Sequence, residues 1–159
     1  MTDYRVLKRP EWPFMSADAV MRQIDPNTQD FCALDLCQGY QQVPIAEEHK
    51  DMTTFSLPLG RFRYEVLPMG LKPSGDKFNM ESDYANRSKV CCLKNVDYVL
   101  QQAESYIQLK TRLISLFTEF RDKNIKVKST KFRLGTVVKF GGFIAWVSEN
   151  GVYLEPDHE

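Results

Sequence analysis

The spacing of apolar residues changes from segment to segment along this chain, and the spacing predicts the elements. Across residues 104–123, Tyr106, Leu109, Leu113, Leu116, Phe117 and Phe120 recur at the intervals of one helix face. Residues 31–36 form a short apolar run of strand type, in which alternation places Ala33 and Asp35 on one face and Leu34 and Leu36 on the other. Residues 42–45 are β-like. Residues 52–57 and 62–67 predict a hairpin around Pro58-Leu59-Gly60-Arg61. Residues 90–100 predict a second hairpin turning at Lys94-Asn95. Residues 125–128, 137–147 and 152–155 predict C-terminal strands. Ser16 is suited to cap a short helix with Asp18 in its first turn, ending near Asp25-Pro26. Ser74 is suited to cap a helix running to about Asn86, after a loop marked by Gly70, Pro73 and Gly75. The sum is an α+β fold, an antiparallel sheet with helices packed on one face.

Composition narrows the class. The chain has 159 residues, 43% of them hydrophobic, with 8 Pro and 8 Gly, which fits one packed domain over residues 1–159 and excludes a disordered chain. No run approaches the ~20 apolar residues of a membrane span, and the first residues lack a signal-peptide pattern. An intracellular setting follows, with cytoplasm and nucleus not distinguished and no membrane partner expected. The four cysteines fit a reducing compartment. Cys32 and Cys37 flank Asp35, Cys91 and Cys92 are adjacent, and none has C-x-x-C zinc spacing, so buried thiols are expected.

Formal net charge is zero, but charge is unevenly placed. Arg121, Lys123, Lys126, Lys128, Lys131, Arg133 and Lys139 face only Asp122 within residues 121–140, while Glu149, Glu155, Asp157 and Glu159 close the chain without a cation. Such a basic run is either a solvated face or a surface for phosphates, with Lys126, Lys128, Lys131 and Arg133 the candidates to bind RNA.

Two acids carry the candidate chemistry. Asp35 lies inside one apolar strand and Asp97 beside a second, Tyr98-Val99-Leu100. A lone strand acid is ordinarily a surface residue. A pair brought together can hold a cation.

Several blocks resemble the reverse transcriptases of Gypsy-type LTR retrotransposons. Thr2-Asp3-Tyr4-Arg5 resembles their opening D-Y-R. Phe31-Cys32-Ala33-Leu34-Asp35-Leu36-Cys37-Gln38-Gly39-Tyr40-Gln41-Gln42-Val43-Pro44-Ile45 resembles F-x-x-L-D-L-x-x-G-Y-x-Q-[IV]-x-I. Thr54-Phe55 with Gly60-Arg61-Phe62 resembles T-x-F…G-R-[YF], and Leu67-Pro68-Met69-Gly70-Leu71-Lys72-Pro73-Ser74 through Phe78 resembles M-P-x-G-L-x-x-[AS]-x-x-x-F. Asn124-Ile125 through Lys131-Phe132, Phe140-Gly141-Gly142-Phe143 through Ser148, and Gly151-Val152 through Pro156 resemble the three blocks that follow in that family. Their common order makes the resemblance more specific than any one block.

The resemblance implies a fingers–palm region, with no thumb, connection or RNase H segment in these residues. It also implies roles. Asp35 and Asp97 would be catalytic carboxylates, and the tetrad Asn95-Val96-Asp97-Tyr98 would stand where the family has x-V-D-D. Tyr98 thus replaces the third carboxylate. Two-metal phosphoryl transfer needs clustered carboxylates around two Mg²⁺ ions ~4 Å apart, and a phenol offers no anionic oxygen at neutral pH. A pseudoenzyme is expected, retained by a host, with no cofactor beyond weak Mg²⁺ at Asp35 and Asp97. Tyr40, Arg61 and Lys131 would be vestigial nucleotide-binding residues. Each also has a plain reading: Tyr40 on a sheet face, Arg61 on a solvated turn, Lys131 within the basic run. A protein-interaction scaffold is the leading expectation, with a residual RNA or RNA–DNA binder and a polymerase fragment as alternatives. Residues 140–154, with Phe143, Trp146 and Tyr153, are expected to be covered by a partner chain or a second copy.

Overall fold

A computed structural model describes residues 16–71, 73–86 and 92–158. The Thr2–Arg5 block, Lys72, Val90 and Cys91 lie outside the described residues. In chain order the elements are α1 (Ala17–Met21), β1 (Asp30–Asp35), α2 (Glu47–Lys50), β2 (Phe55–Leu57), β3 (Gly60–Phe62), α3 (Ser74–Asn86), β4 (Cys92–Asn95), β5 (Tyr98–Ala103), α4 (Tyr106–Asp122), β6 (Arg133–Gly135), β7 (Val137–Phe140), β8 (Phe143–Ser148) and β9 (Gly151–Pro156). The architecture is α+β with antiparallel sheets. The sequence expects one domain. The chain's contacts divide it into two compact units, one holding Gln38–Ser82 and the other Phe14–Cys37 with Asp83–Glu159.

The second unit carries a four-stranded sheet of order β4-β5-β1-β6. Every residue of β1 from Phe31 to Asp35 is buried, so both faces are covered. On one face Ala33 pairs with Leu100, and Leu100 with Leu93. There the core takes in Val20 and Met21 of α1 and Val138, Phe140 and Ala145 of a second sheet, β7-β8-β9. Alternation assigns Leu34 and Val99, themselves a register pair, to the opposite face, where α4 packs with Leu109, Leu113, Leu116 and Phe120 buried.

The helix ends are local chemistry. Ser16 Oγ accepts from the Ala19 amide, and Ser105 Oγ from the Gln108 amide. At the far end of α4 the Ile125 amide donates to Phe120 O at 2.7 Å and the Asn124 amide to Arg121 O at 3.0 Å, with Asn124 at φ 55°. This is a Schellman motif with Asn as the left-handed residue. A buried network anchors the start of β1: Gln102 Oε1 accepts from the Asp25 amide and the Thr28 hydroxyl, and Arg112 donates to Gln102 O at 2.6 Å. Cys32, Cys37 and Cys92 are thiols. Burial, with Cys92 nearby, pushes the Cys32 thiol up to about 12, so it stays protonated and unreactive.

In the first unit, β2 and β3 form a hairpin around Pro58-Leu59, tighter and shorter than the pattern suggests, because Met52 belongs to a 3₁₀ turn, Asp51–Thr53. Phe55 stacks on Phe62 with ring centres 5.9 Å apart and lies 5.2 Å from Tyr64. Residues 42–45 are not a strand. Gln42 closes a 3₁₀ turn, Gly39–Gln42, and Pro44, without an amide proton, makes only an isolated bridge to Val66. Ser74 opens α3 as its first residue, and its hydroxyl donates to Pro68 O at 3.0 Å instead of capping the helix.

Three further expectations shift. The β4–β5 hairpin turns at Val96-Asp97, two residues beyond Lys94-Asn95, because Asn95 still pairs with Tyr98. Residues 137–147 divide into two strands at Gly141-Gly142, whose φ values of 56° and 83° supply the two left-handed residues of a tight hairpin turn. Residues 125–128 form no strand: Val127 alone bridges Leu36, and β6 pairs with β1 in their place.

Candidate functional site

The site forms where β1 ends against the β4–β5 turn. Asp35 is the last residue of β1 and pairs in register with Tyr98, the first of β5, so both side chains lie on one face of the sheet. The Leu36 amide donates to Asp97 O at 2.7 Å, which clamps the turn carrying the second acid against the end of β1. Within that turn Val96 has φ 54°. A β-branched residue in left-handed backbone is a strained outlier, held here because the strands on both sides are fixed.

A third segment completes the site. The Lys128 amide donates to Asp35 O at 2.7 Å, and a 3₁₀ turn, Ser129–Lys131, follows. That turn delivers Lys131 Nζ to 2.7 Å from Asp35 Oδ2. The Asp35 side chain is only 9% exposed and that of Lys131 47%. The ammonium is thus the counter-ion of a nearly buried carboxylate, anchored by it at one end and solvated at the other. The bond to Asp35 holds the Lys131 ammonium above its ordinary pKa. Lys131 Nζ also sits 5.8 Å from the centre of the Tyr98 ring. Tyr98, 37% exposed, meets Phe140 edge-on at 6.3 Å. Burial raises the Asp97 carboxyl above the usual aspartate range, and the Asp35 charge adds to this. The Asp97 backbone amide, Lys131 and Lys94 pull the other way.

These residues do not fit a two-metal centre. Among the described residues no group of three or more His, Cys, Asp or Glu side chains converges on one point. Asp35 is bonded to the Lys131 ammonium and faces the Tyr98 phenol across the ladder, and neither group ligates Mg²⁺ at neutral pH.

The structure therefore gathers Asp35, Asp97, Tyr98 and Lys131. Tyr40 and Arg61 belong to the first unit. There Tyr40 meets Phe78 edge-on at 5.7 Å, and Arg61 is exposed opposite Ser56 on the β2–β3 hairpin. The basic run is partly used internally. Lys139 pairs with Asp157 at 3.2 Å, Arg121 with Asp122 at 3.2 Å, and Arg133 donates to Thr130 O and Phe132 O. Lys126 and Lys128 have exposed side chains, and their backbone groups fasten the loop to Cys37 and Asp35. Of the aromatic candidates, Phe143 packs against the core cluster and Trp146 stacks on Tyr153, ring centres 5.7 Å apart, while Tyr153 stays exposed. Sequence reasoning missed the part played by Phe140, whose alternation with buried Val138 was the available signal.

The sequence is similar to several polyproteins. It is 29% identical over 130 residues to the retrovirus-related Pol polyprotein from transposon gypsy of Drosophila melanogaster, covering 80% of this chain and 12% of that protein. It is 26% identical over 148 residues to the Pol polyprotein from transposon opus of the same fly, covering 91% and 14%. A shorter match, 33% identical over 72 residues, is to the enzymatic polyprotein of cauliflower mosaic virus and covers 44% of this chain and 11% of that one. The chain thus spans a small part, 12% to 14%, of the length of these fly polyproteins. No family model matches it. The fold is shared with the foamy viral protease–reverse transcriptase in complex with double-stranded DNA, at TM-score 0.84 and 18% identity, covering 96% of this chain and 26% of that one. It is shared also with the same enzyme in complex with an RNA/DNA hybrid, at TM-score 0.77 and 18% identity, covering 83% and 18%.

Proposed function

This chain is a relative of the gypsy-type retrotransposon Pol polyproteins and carries the reverse-transcriptase fold, and we propose that it has lost polymerase chemistry and serves as a non-catalytic module, a scaffold for protein interaction. One observation carries the reading. The position facing Asp35 across the sheet, where the family pattern implies an acid, holds Tyr98, and the charge of Asp35 is met by Lys131. Removing one metal ligand from a two-metal site lowers turnover by orders of magnitude. A lysine bonded to a second ligand competes with a metal ion for it.

On this reading the fold serves something other than phosphoryl transfer. A rigid sheet with exposed aromatic and aliphatic side chains suits a binding surface. The setting would be intracellular, with the module retained by a host. Among the described residues no helix is long and apolar enough to cross a membrane.

The test is primer extension on an RNA template with Mg²⁺ or Mn²⁺. The reading expects no product above background. Template-dependent product that disappears in Asp35→Asn would restore the polymerase assignment.

Binding of RNA or an RNA–DNA hybrid is the second reading, favoured by the exposed Lys128 and Arg133 beside the site. Its signature is affinity that falls steeply with salt and is lost when Lys126, Lys128 and Lys131 are replaced by Glu. With zero formal net charge and Lys131 held by the nearly buried Asp35, the affinity expected is weak.

A further inference from the structure

Helix α4 has a second apolar face. Its core face buries Leu109, Leu113, Leu116 and Phe120, which accounts for the helical periodicity of the sequence. On the outer face Ile107 is 79% exposed and Ile114 60% exposed, with Thr111 and Thr118 also exposed. Isoleucine is among the residues most often buried, and two exposed ones seven positions apart on a helix lie on one line.

The spacing of Ile107, Thr111, Ile114 and Thr118 is four, three, four. This is the a/d alternation of a coiled-coil seam, with threonine at a and isoleucine at d. The threonines serve it as apolar residues. Thr111 Oγ1 donates to Ile107 O at 3.1 Å and Thr118 Oγ1 to Ile114 O at 2.8 Å. With the hydroxyls satisfied inside the helix, the methyl groups are what these positions offer a neighbour.

We propose that this face docks on the same face of a second copy of the chain, the two α4 helices antiparallel about a two-fold axis near Arg112 and Leu113. The ends of the seam argue for that occupant. Three residues beyond each end of the seam, the next position in the a/d alternation, the sequence has Glu104 before the helix and Arg121 at its end, both exposed. In the antiparallel pairing Ile107 meets Thr118 of the other copy, Thr111 meets Ile114, and Glu104 meets Arg121, twice by symmetry. A parallel pairing would set Glu104 against Glu104 and Arg121 against Arg121. The seam is therefore complementary in charge to itself in one orientation only. Arg121 has an exposed local partner in Asp122 at 3.2 Å, and exposed pairs of that kind exchange readily.

The seam is short. Stable dimers bury about 800 Å² per partner, and four seam residues with two end pairs fall below that, so the dimer dissociates on the order of 10–100 µM. The inference does not depend on whether the Asp35 site is active. Primer extension tests that reading and leaves this one untouched.

The experiment is sedimentation velocity of the whole chain from low micromolar to near millimolar concentration. A monomer–dimer equilibrium is expected. Ile114→Asp should abolish it with unchanged circular dichroism. Arg121→Glu should weaken the dimer roughly 10-fold, by turning two attractive pairs repulsive, and Glu104→Arg should do the same. The Arg121→Glu, Glu104→Arg double variant should recover wild-type affinity. An equimolar mixture of the two single variants should dimerise more tightly than either alone. A chain that is monomeric throughout overturns the proposal. So does a dimer that survives Ile114→Asp, including one that yields to Trp146→Glu and so uses the three-stranded sheet. So does a double variant no better than Arg121→Glu.

Discussion

Asp35 and Tyr98 stand opposite one another across the β1–β5 ladder, at the point where the resemblance to polymerases calls for two acids. The consequence is a change of counter-ion. A nearly buried Asp35 needs a positive charge beside it, and Lys131 supplies it at 2.7 Å. Lys131→Met should therefore lower the melting temperature by leaving that carboxylate alone. Asp35→Asn in the same chain should recover much of the loss, since it removes the charge that needed a partner. A double-mutant cycle in thermal melts reads the coupling. Strictly additive effects would mean the ion pair contributes nothing.

Replacing Tyr98 by aspartate sets a third acid opposite Asp35 and next to Asp97, as the family pattern has it. Without metal, three close acids repel and the variant should melt below the parent. With Mg²⁺ it should recover, since a ligand that binds only the folded state stabilises it by about 2.7 kcal/mol at 100 times its dissociation constant. The parent should show no such response. Equal melting temperatures for both proteins with and without Mg²⁺ would show that position 98 does not adjoin a latent metal site.

The raised pKa of Asp97 has a definite sign in stability. Its folded-state value lies above the unfolded one, chiefly through burial, so the folded protein takes up a proton at a pH where the unfolded chain is still ionised. Above both values Asp97 is charged in each state and subtracts from stability. As pH falls through the folded value the penalty is relieved, and it is gone below the unfolded value near ~4. Asp97→Asn should thus raise the melting temperature at neutral pH, and the difference from the parent should shrink towards zero on acidification. A difference independent of pH would assign the effect to packing.

What was legible in the sequence was local. The range of α3 and the Ser16 cap of α1 follow from side chains within a turn or two, and Asp35 and Asp97 stood out as acids in apolar surroundings. What was hidden depended on distance in the chain or contradicted local preference. Helix α2, Glu47–Lys50, has no apolar face and is held by pairs from Lys50 to Glu65 and from Arg63 to Glu47. Charge alone did not set Lys131 apart within the basic run; the resemblance did, as a nucleotide-binding residue, but its bond to Asp35 depends on a 3₁₀ turn fixed by backbone bonds. The apolar run from Val137 to Val147 hid its own Gly-Gly turn. Val96 hid the other turn, since no propensity places valine in left-handed backbone.

That last residue gives a prediction. Val96 at φ 54° adopts a conformation that costs an L residue about 1–2 kcal/mol, and glycine adopts it freely. Glycine loses more chain entropy on folding, which offsets part of the gain. Val96→Gly should stabilise the protein by about 0.5 kcal/mol, and Val96→Asn by a similar amount. Chemical denaturation measures it. A loss above 1 kcal/mol would indicate that the valine side chain makes contacts that outweigh the strain.

Gly39 is constrained in a different way. Its backbone is open to any residue, because the left-handed position of this turn is its neighbour Gln38, at φ 47°. The constraint is space: a Cβ at Gly39 would lie 2.5 Å from Phe78 Cζ. Phe78 is buried and meets Tyr40 edge-on, so its ring cannot withdraw without disturbing that contact. Gly39→Ala should therefore cost about 1–3 kcal/mol by overpacking. If the cause is the ring, shortening it must help. Phe78→Leu alone should destabilise by leaving a void, yet in the Gly39→Ala background it should cost less or even recover stability, because the methyl fills part of that void. Urea melts of the four proteins read the coupling. Additive penalties would mean that Gly39 is required by the backbone after all.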